Sequence, residues 1–301
     1  MAIKPYLQLV RLPNVFTAAA DSLAGWLLVA GTFAEPGRWL PLVLASMAIY
    51  AAGIALNDYF DIEVDRQERP GRPLPSEQVS RGFALGLALA LFVLGLTLAA
   101  SSGSNRSLGI AVLLVVCVVG YDAGLRRTVL GPQVMGACRG LNVLLGMSQV
   151  PEFGGPPAWL VAGSMALFII GVTWISRSEA TGGGRAVPSA GMALQNAAIF
   201  GLLIASLRHE TFPDSGIDRE IVPIGGLLIL LLVALLVNLA TGKSVREPTP
   251  STLQTAVKTG ILSLVWLHVG VLVAVRGPGP ALAVAALWVP TFLLGRWLYS
   301  T

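Results

Sequence analysis

The run Asn57-Asp58-Tyr59-Phe60-Asp61-Ile62-Glu63-Val64-Asp65 sets three carboxylates at i, i+3 and i+7. On a helix that spacing puts Asp58, Asp61 and Asp65 on one face, with Asn57 beside them at i−4 from Asp61. Glu63 and Tyr59 point elsewhere. Three carboxylates and an amide so arranged repel one another unless a cation neutralises them. Hard oxygen donors suit Mg²⁺, which is commonly held by one or two carboxylates and shared with substrate phosphates. The plainer alternative is a solvated helix end. Apolar neighbours and the basic stretch that follows, RQERPGRPLPSEQVS, weigh against it. Arg66, Arg69 and Arg72 in that stretch either meet a phosphate or simply orient the chain in a bilayer.

The elements that position this motif follow from composition. Hydrophobic residues make up 54% of the 301 and charged residues 12%, with a mean hydropathy of +0.74. Such a chain cannot cover a globular surface with solvated groups, and its solvent is a bilayer. The apolar runs are continuous rather than alternating, so the spans are helices. They fall near 14–32, 39–58, 82–101, 107–122, 131–150, 157–176, 190–207, 220–241, 251–275 and 280–298. That is ten, with nine as the fallback because the fourth and seventh are short. The expected fold is an all-α transmembrane bundle of nine to ten helices forming a single domain over 1–301. Of the 20 Lys and Arg, 14 fall at the ends and in loops on the N-terminal side, five fall on the other side, and Arg139 lies within a span. That bias puts the N-terminus and the acidic motif in the cytoplasm and favours an even number of crossings. Asp21 interrupts the first apolar run and more spans follow, so this run reads as a retained span rather than a cleaved leader. The absence of a Ser/Arg-rich transit-like leader points to a prokaryotic inner membrane. The net charge of +4 belongs to the loops and implies membrane lipid rather than nucleic acid as a partner.

Other residues carry two readings each. Arg139 within a span is costly unless it faces a cavity or a partner; it is either an anion contact or half of an interhelical ion pair. Gly82–Gly86, Gly120–Gly124 and Gly136–Gly140 have the small-xxx-small spacing of close helix approach. Cys117 and Cys138, in apolar runs, read as packing residues. His209 and His268 have no metal-ligand spacing. Gly182-Gly183-Gly184 lacks the strand and the Lys-Ser/Thr partner of a phosphate loop. The external loop 208–220 suggests no function. An ordinary transporter is disfavoured because the acidic cluster sits at the mouth, not the midplane.

The pattern Asn57-Asp58-x-x-Asp61-x-x-x-Asp65, followed by Arg72-Pro73-Leu74-Pro75-Ser76 and Val79-Ser80, resembles the first aspartate-rich motif and loop of the UbiA superfamily of intramembrane prenyltransferases. Arg11-Leu12-Pro13-Asn14 resembles that family's opening. Tyr121 with Arg126-Arg127 resembles the stretch after its fourth helix, and Arg139-Gly140 with Asn142 and Gly146 its fifth helix. Lys258 is a fainter match. The resemblance covers about the first 180 residues. It implies a helical bundle around a central cavity. Two acidic motifs at the mouth would bind Mg²⁺, grip an isoprenoid diphosphate and pass its prenyl group to a lipophilic, aromatic-type acceptor, releasing pyrophosphate. The site residues so implied are Asn57, Asp58, Asp61, Asp65 and Glu179 for metal. Asn14, Arg72, Tyr121, Arg126, Arg127, Arg139 and Lys258 are implied for substrate, and Asp58, Asp61 and Arg177 for catalysis. The second motif departs from the family: Ser176-Arg177-Ser178-Glu179-Ala180 retains one carboxylate, a pattern similar to the EboC-like branch. Arg177 then replaces the second cation at a phosphate oxygen, or Glu179 and substrate hold a metal, or the chain binds or moves a prenyl lipid without turnover.

Overall fold

A computed structural model describes residues 3–178, 184–208 and 222–298. Twelve α-helices and no strands occur among these residues. A short α1 (Lys4–Leu9) precedes α2 (Leu12–Ala30), α3 (Pro36–Glu68), α4 (Arg81–Ser101) and α5 (Asn105–Ala123). Then come α6 (Gly131–Met147), α7 (Pro156–Ser176), α8 (Ala186–Leu207), α9 (Val222–Arg246), α10 (Pro250–Arg276), α11 (Pro278–Ala286) and α12 (Trp288–Leu298). Breaks have local causes. Gly31 takes a left-handed φ of 67° to end α2, a conformation glycine adopts cheaply. Ser80 caps α4 by accepting from the Phe83 N–H at 3.2 Å, and Thr249 and Thr252 form a reciprocal capping box on α10.

Nine helical stretches among the described residues are long and apolar enough to cross a bilayer, with Pro278–Leu298 as one stretch. The 17-residue α6 lies outside that count. At 1.5 Å per residue it reaches about 26 Å, and with it the crossings number ten. The Gln8 side chain donates to the Leu298 carbonyl at 2.9 Å, so α1 meets the end of α12 as an even count requires. On the opposite face, Arg38 donates to the Gln149 carbonyl at 3.0 Å and Arg106 to the Val150 carbonyl at 3.1 Å. Leu89, Val93, Leu228, Leu232 and Leu235 are exposed on the outside of the bundle, where lipid is the matching solvent.

The core is two large clusters and a small third of Ile175, Leu253 and Ala256. One large cluster joins α2 and α6 to α7–α10, and the other joins α3, α4 and α5. The helices of the first cluster approach backbone to backbone. A Cβ on Gly146 would collide with the Ser22 carbonyl, and one on Gly25 with the Val143 carbonyl, so α2 and α6 touch without side chains between them. Gly136 and Gly140 pack likewise on α7, against Ala166 and Ala162. The other two glycine pairs do not: nothing lies near Gly82, Gly86 or Gly124, and Gly120 meets only Leu125. Their spacing faces away from neighbouring backbone.

Candidate active site

The 33 residues of α3 make a rod of about 50 Å, longer than the ~30 Å hydrocarbon layer. Its last turns therefore emerge at the membrane face and carry Asn57 to Asp65. The loop 69–80 folds back because Leu74 and Val79 are buried in the second core cluster, and this brings Arg72 over the motif.

The acidic face is split into two stripes, each closed by arginine. Asp58 and Asp65 are buried, at 4% and 3% exposure. Arg72 lies 2.7 Å from Asp65 and 3.5 Å from Asp58, while Arg11 donates to Asp58 at 3.1 Å. Arg11 reaches in from a left-handed conformation, φ 44°, at the head of α2. On the other stripe Asp61 accepts a two-pronged bond from Arg126, and the Asn57 amide donates to Asp122 at 3.1 Å. Forked pairs of this kind are the strong, oriented class of charge-assisted bond. Arg126 sits in the 3₁₀ turn Leu125–Arg127 between α5 and α6.

Beneath this mouth lies a cavity of about 380 Å³, within the range of small-molecule sites. It opens where the two core clusters meet. Ile49, Gly53, Leu114, Val118, Ile169 and Val172 give it apolar walls. Arg11, Asn14, Asn57, Tyr121 and Asp122 line its polar part, and Arg139 and Asn142 also reach it. The space thus has a charged end and a greasy body, the shape of an amphiphile with an anionic head.

Asn14, Asn57, Tyr121 and Arg139 line the cavity, and Asp58, Asp61, Asp65, Arg72 and Arg126 join in the ion pairs at its mouth. Three expected residues lie apart from the cavity lining. Lys258 is exposed, and α10 turns Val257 and Ile261 to the cavity instead; the apolar stripe fixes the helix's rotation. Arg127 is exposed and outside the lining, because only its neighbour faces α3. Arg177 does not reach towards the cavity. Its Nη2 donates to the Arg126 carbonyl at 2.8 Å and to the Thr128 carbonyl, so it braces the turn that presents Arg126. Glu179, Gly182, Gly183 and His209 lie outside the described residues, as does all but the first residue of the 208–220 loop.

Two residues escaped the sequence reading. Asp122 is buried and within electrostatic reach of Asp58 and Asp61, yet it stands alone in an apolar run beside the more conspicuous Arg126-Arg127. Arg11 belongs to a quoted motif, but nothing local signals its contact with Asp58, 47 residues away.

The donor set of Asn57, Asp58, Asp61, Asp65 and Asp122 is entirely oxygen and suits Mg²⁺ in kind. In this arrangement arginines occupy the three motif carboxylates. Among the described residues no group of three or more His, Cys, Asp or Glu stands ready to hold a metal.

Comparison with known proteins agrees with this architecture. The chain is 33% identical over 127 residues to the digeranylgeranylglyceryl phosphate synthase of Sulfolobus acidocaldarius, covering 42% of this chain and 46% of that one. It is 35% identical over 158 residues to the enzyme of that name from Methanopyrus kandleri, covering 52% and 57%. The chain spans about half the length of the curated relatives it matches. Among solved structures, a UbiA homolog from Aeropyrum pernix K1 superposes with a TM-score of 0.66 at 18% identity, over 86% of this chain and 97% of that one. A UbiA homolog from Archaeoglobus fulgidus bound to GPP and Mg²⁺ gives 0.62 at 13%, over 89% and 99%. These two share the fold. The UbiA prenyltransferase family matches residues 19–209, which takes in the acidic motif, the 3₁₀ turn and most of the cavity wall; this integral membrane chain therefore belongs to that family.

Proposed function

We propose that the chain transfers an isoprenyl group from an isoprenoid diphosphate to a lipophilic acceptor and releases pyrophosphate. The observation that carries this reading is the set of arginine–aspartate pairs at the mouth of an apolar cavity. The names of the curated relatives and the GPP and Mg²⁺ held by a fold neighbour support it. In such a transfer the allylic C–O bond breaks, and the diphosphate leaves with the electron pair. A nucleophilic atom of the acceptor bonds to the allyl carbon and loses its proton to water or a nearby carboxylate.

Each pair at the mouth is a counter-ion exchange in waiting. Asn57, Asp58, Asp61 and Asp65, with Asp122 beside them, would hold Mg²⁺. Bound there, the metal would neutralise charge on the departing diphosphate. Arg11, Arg72 and Arg126, released from their carboxylates, bind phosphate oxygens instead. Guanidinium forks match phosphate as well as carboxylate, and in a site poor in water such preorganised charge stabilises the leaving group strongly. The apolar walls hold the prenyl tail, and Tyr121 beside the polar end can shelter positive charge on the allyl carbon. The mouth faces the cytoplasm in this reading, where the diphosphate is soluble.

A second reading, a prenyl-lipid binder or translocation component without turnover, draws on the single carboxylate left in the second motif. One assay separates the two. Membranes containing the chain are incubated with radiolabelled geranylgeranyl diphosphate, Mg²⁺ and a lipid extract. The expected result is pyrophosphate release that falls roughly 10²–10³-fold in Asp61→Ala. No release above that control, with diphosphate binding intact, favours the binder.

A further inference from the structure

Below the mouth, α5 and α6 each bring a cysteine to their shared interface. The chain has two cysteines, and both are free and partly exposed. Their thiol groups lie within hydrogen-bonding reach of each other. Cys117 stands six residues before the end of α5 at Ala123, and Cys138 seven residues after the start of α6 at Gly131. Both are therefore about 10 Å deeper in the membrane than the turn that joins the two helices. Cys138 lines the cavity and Cys117 does not. Cys138 is also within electrostatic reach of Tyr121 and Asp122 at the polar end. The outer side of α5 presents Val112, Leu113, Val116 and Val119 to lipid, so the pair has hydrocarbon on one side and the chamber on the other.

Packing accounts for small residues between helices, but not for two sulfurs that face each other with one open to a chamber. At such a position the chemistry of the thiol matters more than its bulk. Opposed thiols on separate helices have the placement a disulfide requires, since bridging demands neighbouring side chains that point together. Reagents dissolved in water are poorly placed to reach them. A charged peptide such as glutathione disulfide would have to leave water for an apolar wall, which costs it heavily. The chamber suits instead an apolar molecule with a polar edge, because its walls are greasy and its upper end is polar. Among two-electron oxidants, a lipid-soluble quinone has that shape.

We propose that Cys117 and Cys138 form a redox-modification site, oxidised to an α5–α6 disulfide by a lipid-soluble quinone that enters the cavity. Both S–H bonds break and one S–S bond forms. The two electrons and two protons pass to the quinone, which leaves as hydroquinone. Because the glutathione pool stays in water, the pair follows the redox state of the bilayer rather than that of the cytoplasm. The link closes the stretch from Cys117 to Cys138 into a ring that carries Tyr121, Asp122 and Arg126. In the transfer proposed above, Arg126 leaves Asp61 to meet phosphate, so the turn that bears it has to shift. A cross-link across the two helices restrains that turn, and the oxidised chain turns over more slowly. The loss of turnover rests on the prenyl-transfer reading; the disulfide does not.

The test uses the whole chain in liposomes, treated either with duroquinone, whose fully methylated ring blocks addition of thiols, or with glutathione disulfide. After denaturation, free thiols are counted with a fluorescent maleimide. Duroquinone is expected to remove both thiols together, at least about tenfold faster than glutathione disulfide. The chain should stay monomeric on a non-reducing gel, and dithiothreitol should restore both thiols. Pyrophosphate release from geranylgeranyl diphosphate, with Mg²⁺ and a lipid extract, is expected to fall at least about tenfold in step with oxidation and to recover on reduction. Cys117→Ala should release pyrophosphate as the wild type does before treatment, and duroquinone should leave it unaffected. Retention of both thiols under duroquinone, loss of one alone, a cross-linked dimer, or equal rates with the two oxidants would each overturn the inference. So would a disulfide that leaves release unchanged, or a loss of release in Cys117→Ala. If the reduced chain releases no pyrophosphate, the prenyl-transfer reading fails, and the thiol count still decides the disulfide.

Discussion

Arg177 contacts the mouth only through the backbone beside Arg126, and its expected effect is graded accordingly. Its guanidinium holds the Arg126 and Thr128 carbonyls, and Arg126 holds Asp61. Arg177→Ala is expected to weaken geranylgeranyl diphosphate binding about 3- to 10-fold, since it removes a bond to a carbonyl rather than a ligand. Arg177→Lys should restore part of the loss. Unchanged affinity in a direct binding assay would remove Arg177 from the site. The acidic run was legible in the sequence because its spacing is local to one helix. Its arginine partners were not, since Arg11 and Arg126 lie 47 and 65 residues from the carboxylates they meet. Arg139 was readable as anomalous; it pairs with Asp21 and also lines the cavity, so the ion pair and a place at the cavity belong to one residue.

Apolar runs announced the spans, because hydrocarbon demands long continuous segments, but not that α3 runs on to Glu68 or that the last stretch breaks into α11 and α12. Helix contacts were less legible. Three glycine pairs share one spacing, yet only Gly136–Gly140 meets a neighbouring helix closely. The closest approach, Gly25 and Gly146 between α2 and α6, has no such repeat in sequence. Gly146→Val is expected to lower the melting temperature in detergent markedly, since overpacking costs about 1–3 kcal/mol even where side chains can adjust, and here backbone faces backbone. Gly86→Val, at a position with open space around it, should change little. Equal melting temperatures for the two variants would contradict the backbone contact.

At the scale of the whole molecule, the ten crossings among the described residues place loop 69–80, the 3₁₀ turn 125–127, α1 and the end of α12 on one side, with Gly103 and Val150 on the other. The charge bias predicts that the first side is cytoplasmic. Single cysteines placed at Ser76 and Ser104, in a Cys117→Ala/Cys138→Ala background, test this. In intact cells an impermeant thiol reagent is expected to label the second and not the first; the reverse pattern inverts the topology. The backbone seam between α2 and α6 also sets a limit on redesign. At Gly25 and Gly146 no side chain separates those helices, so nothing there can be trimmed to make room. If the cavity holds a prenyl chain as proposed, space for a longer one comes from shortening lining side chains such as Leu114, Val118, Ile169 or Val172. The seam is a fixed ruler, and the lining side chains are the adjustable part.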